Sequence, residues 1–348
     1  MNAVTRPASR AAPQLRQRMQ AIVQAGYGSA DVLHAAEIDR PAAGEGEVLV
    51  RVCAAGLDRG TWHLMAGQPY LIRLVSGLRT PKNPVPGLDV AGTVVAAGPG
   101  VTRFQAGDEV FGTGRGSFAE YARARAGKLA RKPANLTFGQ AAAVAVSGLT
   151  ALQGLRDAGR LQPGQNVLII GASGGVGTFA VQIARALGAQ VTGVCSTAKT
   201  GLVTSIGAHH VIDYTRDDYT NGAQRYDLIL DIAGNTALSR LRRALTRTGT
   251  LVIAGGEDTG RWTGMSRQLR ALALSPFTSQ RLTTLMSRHR RADLDRLAEL
   301  IQAGDITPVI GGTYPLQQAP DAMRSLEAGH ARGKLVITVA DPPSTAVS

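Results

Sequence analysis

Cysteine is scarce in this sequence. Two cysteines, Cys53 and Cys195, occur among 348 residues, and they lie far apart in apolar stretches that are typical of strands. A disulfide framework or a multi-thiolate zinc site requires more thiols than this. The sequence therefore indicates neither, and we expect each cysteine to be a small buried side chain.

Acidic residues are also few. The chain has 25 Asp and Glu against 38 Lys and Arg, a formal charge of +13 at pH 7. Such a charge attracts polyanions in general, including nucleic acid, membrane headgroups and a phosphorylated cofactor. The denser basic stretches, 240–247 and 288–296, carry leucines at helical spacing and are typical of solvated helix faces. We therefore expect no nucleic-acid or membrane partner.

Long apolar runs are missing, so no segment has the length and character of a membrane span. With 44% hydrophobic and 18% charged residues, the composition is that of a soluble globular protein, and the length favours two domains. Residues 1–18 contain four arginines and no acid or apolar block, which argues against a secretory signal. A transit peptide stays open there, but we expect a disordered extension and a cytoplasmic protein.

Two patterns divide the chain. From residue 19, short β-rich runs alternate with glycine and proline, which predicts a small β-barrel-like domain. Within it, residues 64–87 form a long broken connection of a kind that often borders binding sites. After a helix over about 140–155, which Thr137 can cap, strand-like and helix-like runs alternate. That alternation predicts a parallel sheet wrapped by helices, an α/β fold.

A glycine-rich turn follows the strand predicted at 166–170. Residues 171–177 read GASGGVG and open an amphipathic helix. A diphosphate binds backbone N–H groups at the positive end of a helix, and glycines remove the Cβ atoms that would block it. This order of elements predicts a dinucleotide site; a turn that only packs helix on strand is the plainer alternative. The loop residues are Ser173, Gly174, Gly175, Val176 and Gly177.

The same residues satisfy the G-x-S-x-G pattern of α/β-hydrolases, with Ser173 as nucleophile. That function needs an acid and then a histidine further along the chain. The available residues are Asp231 or Asp258, and His289 or His330. Because Gly177 has no part in such a nucleophile turn but suits close helix packing in a dinucleotide fold, we prefer the dinucleotide interpretation.

Carboxylates are missing where NAD-binding proteins place one. An acid about twenty residues after the loop usually accepts hydrogen bonds from the ribose hydroxyls, but residues 171–212 contain no Asp or Glu, and 194–199 read VCSTAK. Hydroxyls and the Lys199 ammonium suit the 2′-phosphate of NADPH, with charge-assisted hydrogen bonds worth about 1.5–3 kcal/mol each. We predict NADPH as the cofactor, the alternative for Lys199 being an exposed lysine at a helix start.

Several further stretches carry a family resemblance. MQAIV at 19–23, PGLDVAG at 86–92, GDEVFG at 107–112 and the glycine loop together resemble the medium-chain dehydrogenase/reductase superfamily, in its quinone-oxidoreductase branch. The resemblance covers residues 19–339. It implies a GroES-like catalytic domain over 19–145, a doubly wound Rossmann NADPH-binding domain over 146–303, a return to the catalytic domain over 304–340, and a tail over 341–348.

The resemblance also bears on metal. Zinc-dependent members have a cysteine and a Gly-His-Glu run where this sequence has Asp58 and Leu88-Asp89, and 146–147 lack a further thiolate. A catalytic zinc site is therefore not supported. Without a Lewis acid, hydride addition to an activated C=C bond or a quinone is easier than alcohol oxidation. The implied activity is reduction of a small quinone or enone by NADPH, and the implied assembly is a homodimer.

The family pattern assigns cofactor residues by position. Thr150 lies on the nicotinamide side and residues 174–176 hold the diphosphate. The 2′-phosphate and groove residues it implies are Ser196, Lys199, Tyr214, Ala233, Ala254 and Lys334.

On the substrate side, hydride addition leaves an enolate that needs a hydrogen-bond donor and then a proton. His63 and Tyr70 fit by location, and Asp58 is placed to order ribose or water; for each, a structural role is the alternative. The remaining histidines show no metal-ligand spacing, and we expect structural roles for them: His34, His209, His210, His289 and His330. A non-catalytic NADPH-fold protein that binds nucleic acid or a membrane surface is the further alternative.

Overall fold

The computed structural model describes residues 17–222, 224–255, 265–329 and 331–340. The N-terminal extension up to residue 16, Asp258, His330 and the tail over 341–348 lie outside these ranges. The strands are β1 Arg18–Val23, β2 His34–Asp39, β3 Glu47–Leu57, β4 Asp89–Ala97, β5 Glu109–Thr113, β6 Tyr121–Arg125, β7 Leu129–Arg131, β8 Asn166–Ile170, β9 Gln190–Cys195, β10 His210–Asp213, β11 Tyr226–Asp231, β12 Leu245–Ile253, β13 Arg281–Thr284, β14 Ile310–Pro315 and β15 Lys334–Thr338. The α-helices are α1 Arg59–Ala66, α2 Arg73–Ser76, α3 Phe138–Ala142, α4 Ala145–Gln153, α5 Gly175–Ala186, α6 Thr200–Ser205, α7 Leu238–Ala244, α8 Ser266–Leu274, α9 Arg291–Gln302 and α10 Ala319–Glu327.

The first domain is built on a seven-stranded sheet in the order β14-β15-β3-β4-β5-β7, with β6 also paired to β3. A separate ribbon of β1 and β2 pairs antiparallel. Strand β3 is buried along most of its length because three strands pair with it. The pattern of 334–339 leaves its sheet membership open, and the structure puts β15 between β14 and β3. The end of the chain thus completes the sheet that its beginning starts.

The second domain is a six-stranded parallel sheet in the order β10-β9-β8-β11-β12-β13. The strands predicted at 166–170 and 190–195 are confirmed residue for residue, and all but the ends of both strands are buried, as is typical of strands covered on both faces. Buried apolar side chains pack on both faces of this sheet. The strand order reverses between β8 and β11, and a ligand crevice forms at the carboxyl ends of strands where such a reversal occurs.

The connection between the domains differs in part from the predicted single helix. Thr137 caps α3 as expected, and Gln140 completes a reciprocal capping box. The helix stops at Ala142, however, and restarts as α4, which ends in a π-helical turn over Gly154–Ala158. Neighbouring residues alone indicate the helix cap, whereas the break between α3 and α4 depends on packing between the domains.

Both cysteines are buried, as predicted, and neither forms a disulfide. Burial raises the pKa of the Cys53 thiol to about 11, so it is protonated at neutral pH. Within the described ranges, no helix combines the length and apolarity needed to cross a membrane.

Candidate cofactor crevice

The glycine turn lies at the carboxyl end of β8. The N–H groups of Gly171 and Ala172 donate to the Val194 carbonyl at 3.2 and 3.0 Å, which ties the turn to β9. Gly174 then occupies the N-cap position of α5, where no side chain caps the helix. The first-turn N–H groups of a helix lack acceptors within it. A backbone bridge joins Gly174 to Gly333 beside this turn. The turn therefore places the positive end of a twelve-residue helix, without a side-chain cap, at the crevice.

The glycines of this turn differ in what a side chain would meet. A Cβ atom on Gly177 would collide with the Gly171 carbonyl oxygen and lie 2.7 Å from the Ala172 carbonyl carbon. On Gly174 the nearest atom to such a Cβ would be the Gly171 carbonyl oxygen at 3.5 Å. Gly177 thus permits close packing of helix on strand, whereas a side chain on Gly174 would meet little of the protein.

Ser173 is buried, and its carbonyl accepts a hydrogen bond from the Gly333 N–H at 2.8 Å. Across the described ranges its hydroxyl forms no hydrogen bond to a histidine. Two hydrolase partners have other roles: Asp231 forms an ion pair with Arg267, and His289 contacts Thr113. These contacts give the hydrolase alternative no support.

A buried ion pair within the first domain lies beside the glycine turn of the second. Lys334 Nζ, at the start of β15, donates to Asp89 Oδ2 on β4 at 2.9 Å, and the two side chains are 2% and 0% exposed. The other Asp89 oxygen accepts the Val146 N–H at 2.8 Å. Burial raises the pKa of Asp89 to about 6, and the Lys334 ammonium opposes that rise. A Cβ on Gly175 would lie 2.9 Å from Lys334 Cδ, so the lysine stem lies against the first turn of α5.

The predicted 2′-phosphate residues follow β9 and β10. Lys199 Nζ donates to the carbonyls of Gly329 and Ala331 at 3.3 and 3.1 Å, which holds the ammonium beside the turn after α10. Tyr214 is largely exposed, and its N–H donates to the Cys195 carbonyl. Ser196 precedes the short helical turn Thr197–Lys199 and caps it with no side-chain bond.

The structure adds a carboxylate to this region. Asp213 pairs in register with Cys195 across β9 and β10, and it accepts hydrogen bonds from the Thr197 and Thr215 hydroxyls at 2.5 and 2.7 Å. The Thr197 hydrogen bond is the main cause that lowers the pKa of Asp213. The absence of acids over 171–212 therefore does not leave the neighbourhood free of carboxylates, because the adjacent strand supplies one.

Of three other predicted cofactor residues, two follow strands of the parallel sheet and one lies on α4. Ala233 follows β11 and is exposed, and a Cβ on Gly171 would lie 2.7 Å from its Cβ. Ala254 follows β12, and its N–H donates to the Asp231 carbonyl at 2.8 Å. Thr150 lies on α4, where its hydroxyl donates to the Val146 carbonyl at 2.7 Å.

The predicted substrate-side residues all have partners within the first domain. Asp58 is buried and caps α1, accepting the Thr61 N–H at 2.8 Å. His63 Nδ1 lies 2.7 Å from the Gln68 carbonyl, which can only accept, so Nδ1 carries the proton. The Arg73 guanidinium lies over the Tyr70 ring at 4.8 Å. A neutral His63 in this tautomer has no proton on Nε2.

Sequence reasoning assigned His289 a structural role and missed its position between the domains. It lies five residues beyond β13, on the carboxyl side of the parallel sheet, and Nδ1 is 3.1 Å from Thr113 Oγ1 on β5. Burial lowers the pKa of His289, Lys128 lowers it further, and Asp58 raises it. No local sequence pattern indicates this contact, because 176 residues separate the histidine from its threonine partner.

The residues at the zinc-ligand positions do not fit a zinc ion. Asp58 caps a helix, Leu88 has no ligand atom, and Asp89 is engaged by Lys334 and Val146. In the part of the chain that the structure describes, no group of three or more His, Cys, Asp or Glu is arranged to hold a metal.

Comparisons with known proteins agree with this architecture. A family described as zinc-binding dehydrogenase matches residues 206–337, and the alcohol dehydrogenase GroES-like domain matches 44–134. A mitochondrial NAD(P)H oxidoreductase of Mus musculus is 36% identical over 73% of this chain and 70% of its own. A chloroplast envelope quinone oxidoreductase homolog of Arabidopsis thaliana is 30% identical over 90% of this chain and 95% of its own. A mycobacterial protein whose structure was solved with NADPH is 28% identical, covers 92% of this chain and 99% of its own, and superposes with a TM-score of 0.79. The chain belongs to the medium-chain dehydrogenase/reductase superfamily, in its quinone-oxidoreductase-like branch.

Proposed function

We propose that this oxidoreductase uses NADPH to reduce a quinone or an α,β-unsaturated carbonyl compound without a metal ion. The observation that carries the proposal is the start of α5, where no side chain caps the helix and Gly174 has no Cβ, beside the buried Lys334 ammonium of the first domain. Backbone donors and a nearby cation suit a diphosphate. The metal-free part rests on the donor set, because the residues at the zinc-ligand positions are already engaged or lack ligand atoms.

Bound NADPH would supply the hydride. The glycine turn would bind its diphosphate, Lys199 and Ser196 would contact the 2′-phosphate, and Ala233 and Ala254 would line the groove. Lys334 would contribute positive charge beside the first turn of α5. A homodimer and a cytoplasmic location remain predictions.

The test of the proposed function is a scan of NADPH oxidation over quinones, enones and enoyl thioesters, with NADH in parallel. We expect turnover with at least one class of activated acceptor and none with saturated alcohols and NADP⁺. Turnover of alcohols, or ester hydrolysis that requires Ser173, would contradict the proposal. Activity that survives prolonged treatment with a strong chelator supports the metal-free part, and its loss contradicts that part.

We predict that Lys199→Glu weakens the binding of NADPH much more than the binding of NADH. The substitution replaces a charge-assisted donor by a carboxylate near the proposed 2′-phosphate, and Asp213 already adds one negative charge there. We expect about a 100-fold rise in Kd for NADPH and less than about a threefold change for NADH. Fluorescence titration of both cofactors checks this, with the exposed Lys82→Glu as control. An equal loss of affinity for both cofactors would contradict the proposal that Lys199 selects NADPH over NADH.

We predict His289 as the proton donor after hydride addition. It lies at the junction of the two domains, and as a neutral imidazole bonded through Nδ1 to the Thr113 hydroxyl it can carry its proton on Nε2. His289→Gln should lower kcat by about 100-fold with little change in NADPH affinity. His63→Gln should have a smaller effect, and the exposed His34→Gln serves as control. Unchanged kcat in His289→Gln would exclude His289 as the donor and favour Tyr70 or an ordered water.

His289 also predicts a pH dependence of stability. Its pKa in the folded protein is lowered from the ordinary value of 6.5, so the folded state binds fewer protons than the unfolded state as the pH falls. The stability linked to this group is therefore fully present above about pH 6.5 and is lost on acidification. Urea unfolding at about pH 7 and about pH 5 should show a larger loss for the wild type than for His289→Gln. Equal losses of stability in the two proteins would mean that burial does not lower the pKa of His289.

A further inference from the structure

The connection between α1 and β4 carries an exposed apolar surface that the proposed function does not use. Leu71, Leu74, Val75 and Leu78 are 52%, 67%, 78% and 69% exposed. We call these four side chains the apolar patch. They come from eight consecutive residues, and clustered exposure of large apolar side chains marks an interaction site on a folded protein.

The backbone beneath the apolar patch is firmly held. The Tyr27 hydroxyl donates to the Gly77 carbonyl at 2.6 Å, and the Gly77 N–H donates to Arg73 at 2.9 Å. The Lys82 N–H closes the turn by donating to the Ser76 carbonyl at 2.7 Å. Because these hydrogen bonds fix the backbone at Gly77 and Lys82, the exposed apolar side chains belong to a folded turn.

The charged residues of the segment that carries the apolar patch have one sign. Residues 59–88 contain no Asp or Glu, and Arg79 and Lys82 are exposed on the segment that follows the patch. Over the ranges that the structure covers, neither of these two side chains forms an ion pair with a carboxylate. An apolar surface with a basic rim complements a partner that is apolar and anionic at once.

We propose that the apolar patch docks on the surface of an anionic phospholipid bilayer. The four apolar side chains would enter the boundary between headgroups and acyl chains, while Arg79 and Lys82 contact lipid phosphates. A second copy fits less well, because a two-fold contact would bring the basic rims of both copies together without a carboxylate from residues 59–88. Nucleic acid would leave the apolar side chains without a partner.

This proposal departs from the expectation of no membrane partner. That expectation rested on the spread of basic residues along the sequence and on the lack of a spanning segment. The sequence does not reveal which apolar residues of 64–87 stay outside the core. The structure points to a protein that lies on a membrane surface, and no spanning helix is required for that.

The test is sedimentation of the full chain with vesicles of phosphatidylcholine that contain roughly a third phosphatidylglycerol. We expect binding to these vesicles and little binding to pure phosphatidylcholine. Leu74→Asp/Val75→Asp should reduce the bound fraction at least about tenfold, because carboxylates would enter the headgroup region. Raising salt from about 0.1 M to about 1 M should also weaken binding, since the Debye length falls from about 10 Å to about 3 Å.

The matched control is Phe277→Asp, because Phe277 is 85% exposed and lies on the second domain. Its binding should match that of the wild type. All variants change exposed residues, so unchanged thermal unfolding shows that they remain folded. Absence of binding to anionic vesicles overturns the proposal. A loss of vesicle binding in Phe277→Asp equal to that in Leu74→Asp/Val75→Asp also overturns it. So does a dimer that Leu74→Asp/Val75→Asp converts to monomer, since the patch would then join two copies. Binding needs no acceptor turnover, so this proposal and the proposed function can fail separately.

Discussion

Replacing Gly174 by valine should raise the Kd for NADPH by at least about 100-fold, equivalent to about 2.7 kcal/mol. The backbone at Gly174 has φ −84° and ψ 179°, an extended conformation open to any residue. A Cβ there would meet little of the protein, but it would occupy space above the first turn of α5. The side chain should therefore exclude the diphosphate without disturbing the fold. Isothermal titration with NADPH measures the effect.

The control is Gly127→Val, because a Cβ on Gly127 meets nothing within 4 Å and the residue lies in the first domain. Both variants should keep Tm within about 2 °C of the wild type. Gly177→Val should behave differently and lose stability, because its side chain would collide with the turn backbone. Unchanged NADPH affinity in a folded Gly174→Val would mean that the cofactor does not lie against this helix.

Local sequence patterns predicted the elements around the crevice well. The strand at 166–170, the glycine turn and the amphipathic helix that follows are coded by neighbouring residues: apolar runs, backbone conformation and helical spacing. Thr137 marked a helix start for the same reason, and the structure adds its capping box with Gln140. The alternation of strands and helices predicted a parallel sheet, whereas the order of its six strands was not predicted.

Contacts between distant segments were beyond these patterns. Asp213 enters the 2′-phosphate region because β10 pairs with β9, a consequence of sheet order rather than of local sequence. His289 meets Thr113 only because the two domains pack together. Lys334 was predicted by resemblance to line the groove, but its partner Asp89 lies 245 residues earlier. The sequence marked Asp89 only as a residue at a position where zinc-dependent members have a metal ligand. Such pairs need the tertiary fold to become visible.

The second large effect concerns that pair. Lys334→Met should lower the free energy of unfolding by about 3–5 kcal/mol, because it leaves the fully buried Asp89 carboxylate without its ammonium partner. Lys334→Met/Asp89→Asn should recover a part of this loss. The buried charge is then gone, and the asparagine oxygen can still accept the Val146 N–H. Urea denaturation of both variants measures the difference.

NADPH binding separates a structural lysine from one that also acts on the cofactor. If Lys334 contributes positive charge to the diphosphate site, the double variant should remain at least about tenfold weaker for NADPH even though it is more stable than the single variant. Asp89→Asn alone keeps the ammonium and should retain affinity despite its lower stability. Recovery of NADPH affinity together with stability in the double variant would assign Lys334 to domain packing alone. Lys334 pairs with Asp89 on β4, and its stem lies against the first turn of α5. These variants therefore test whether one lysine both stabilises domain packing and binds the cofactor.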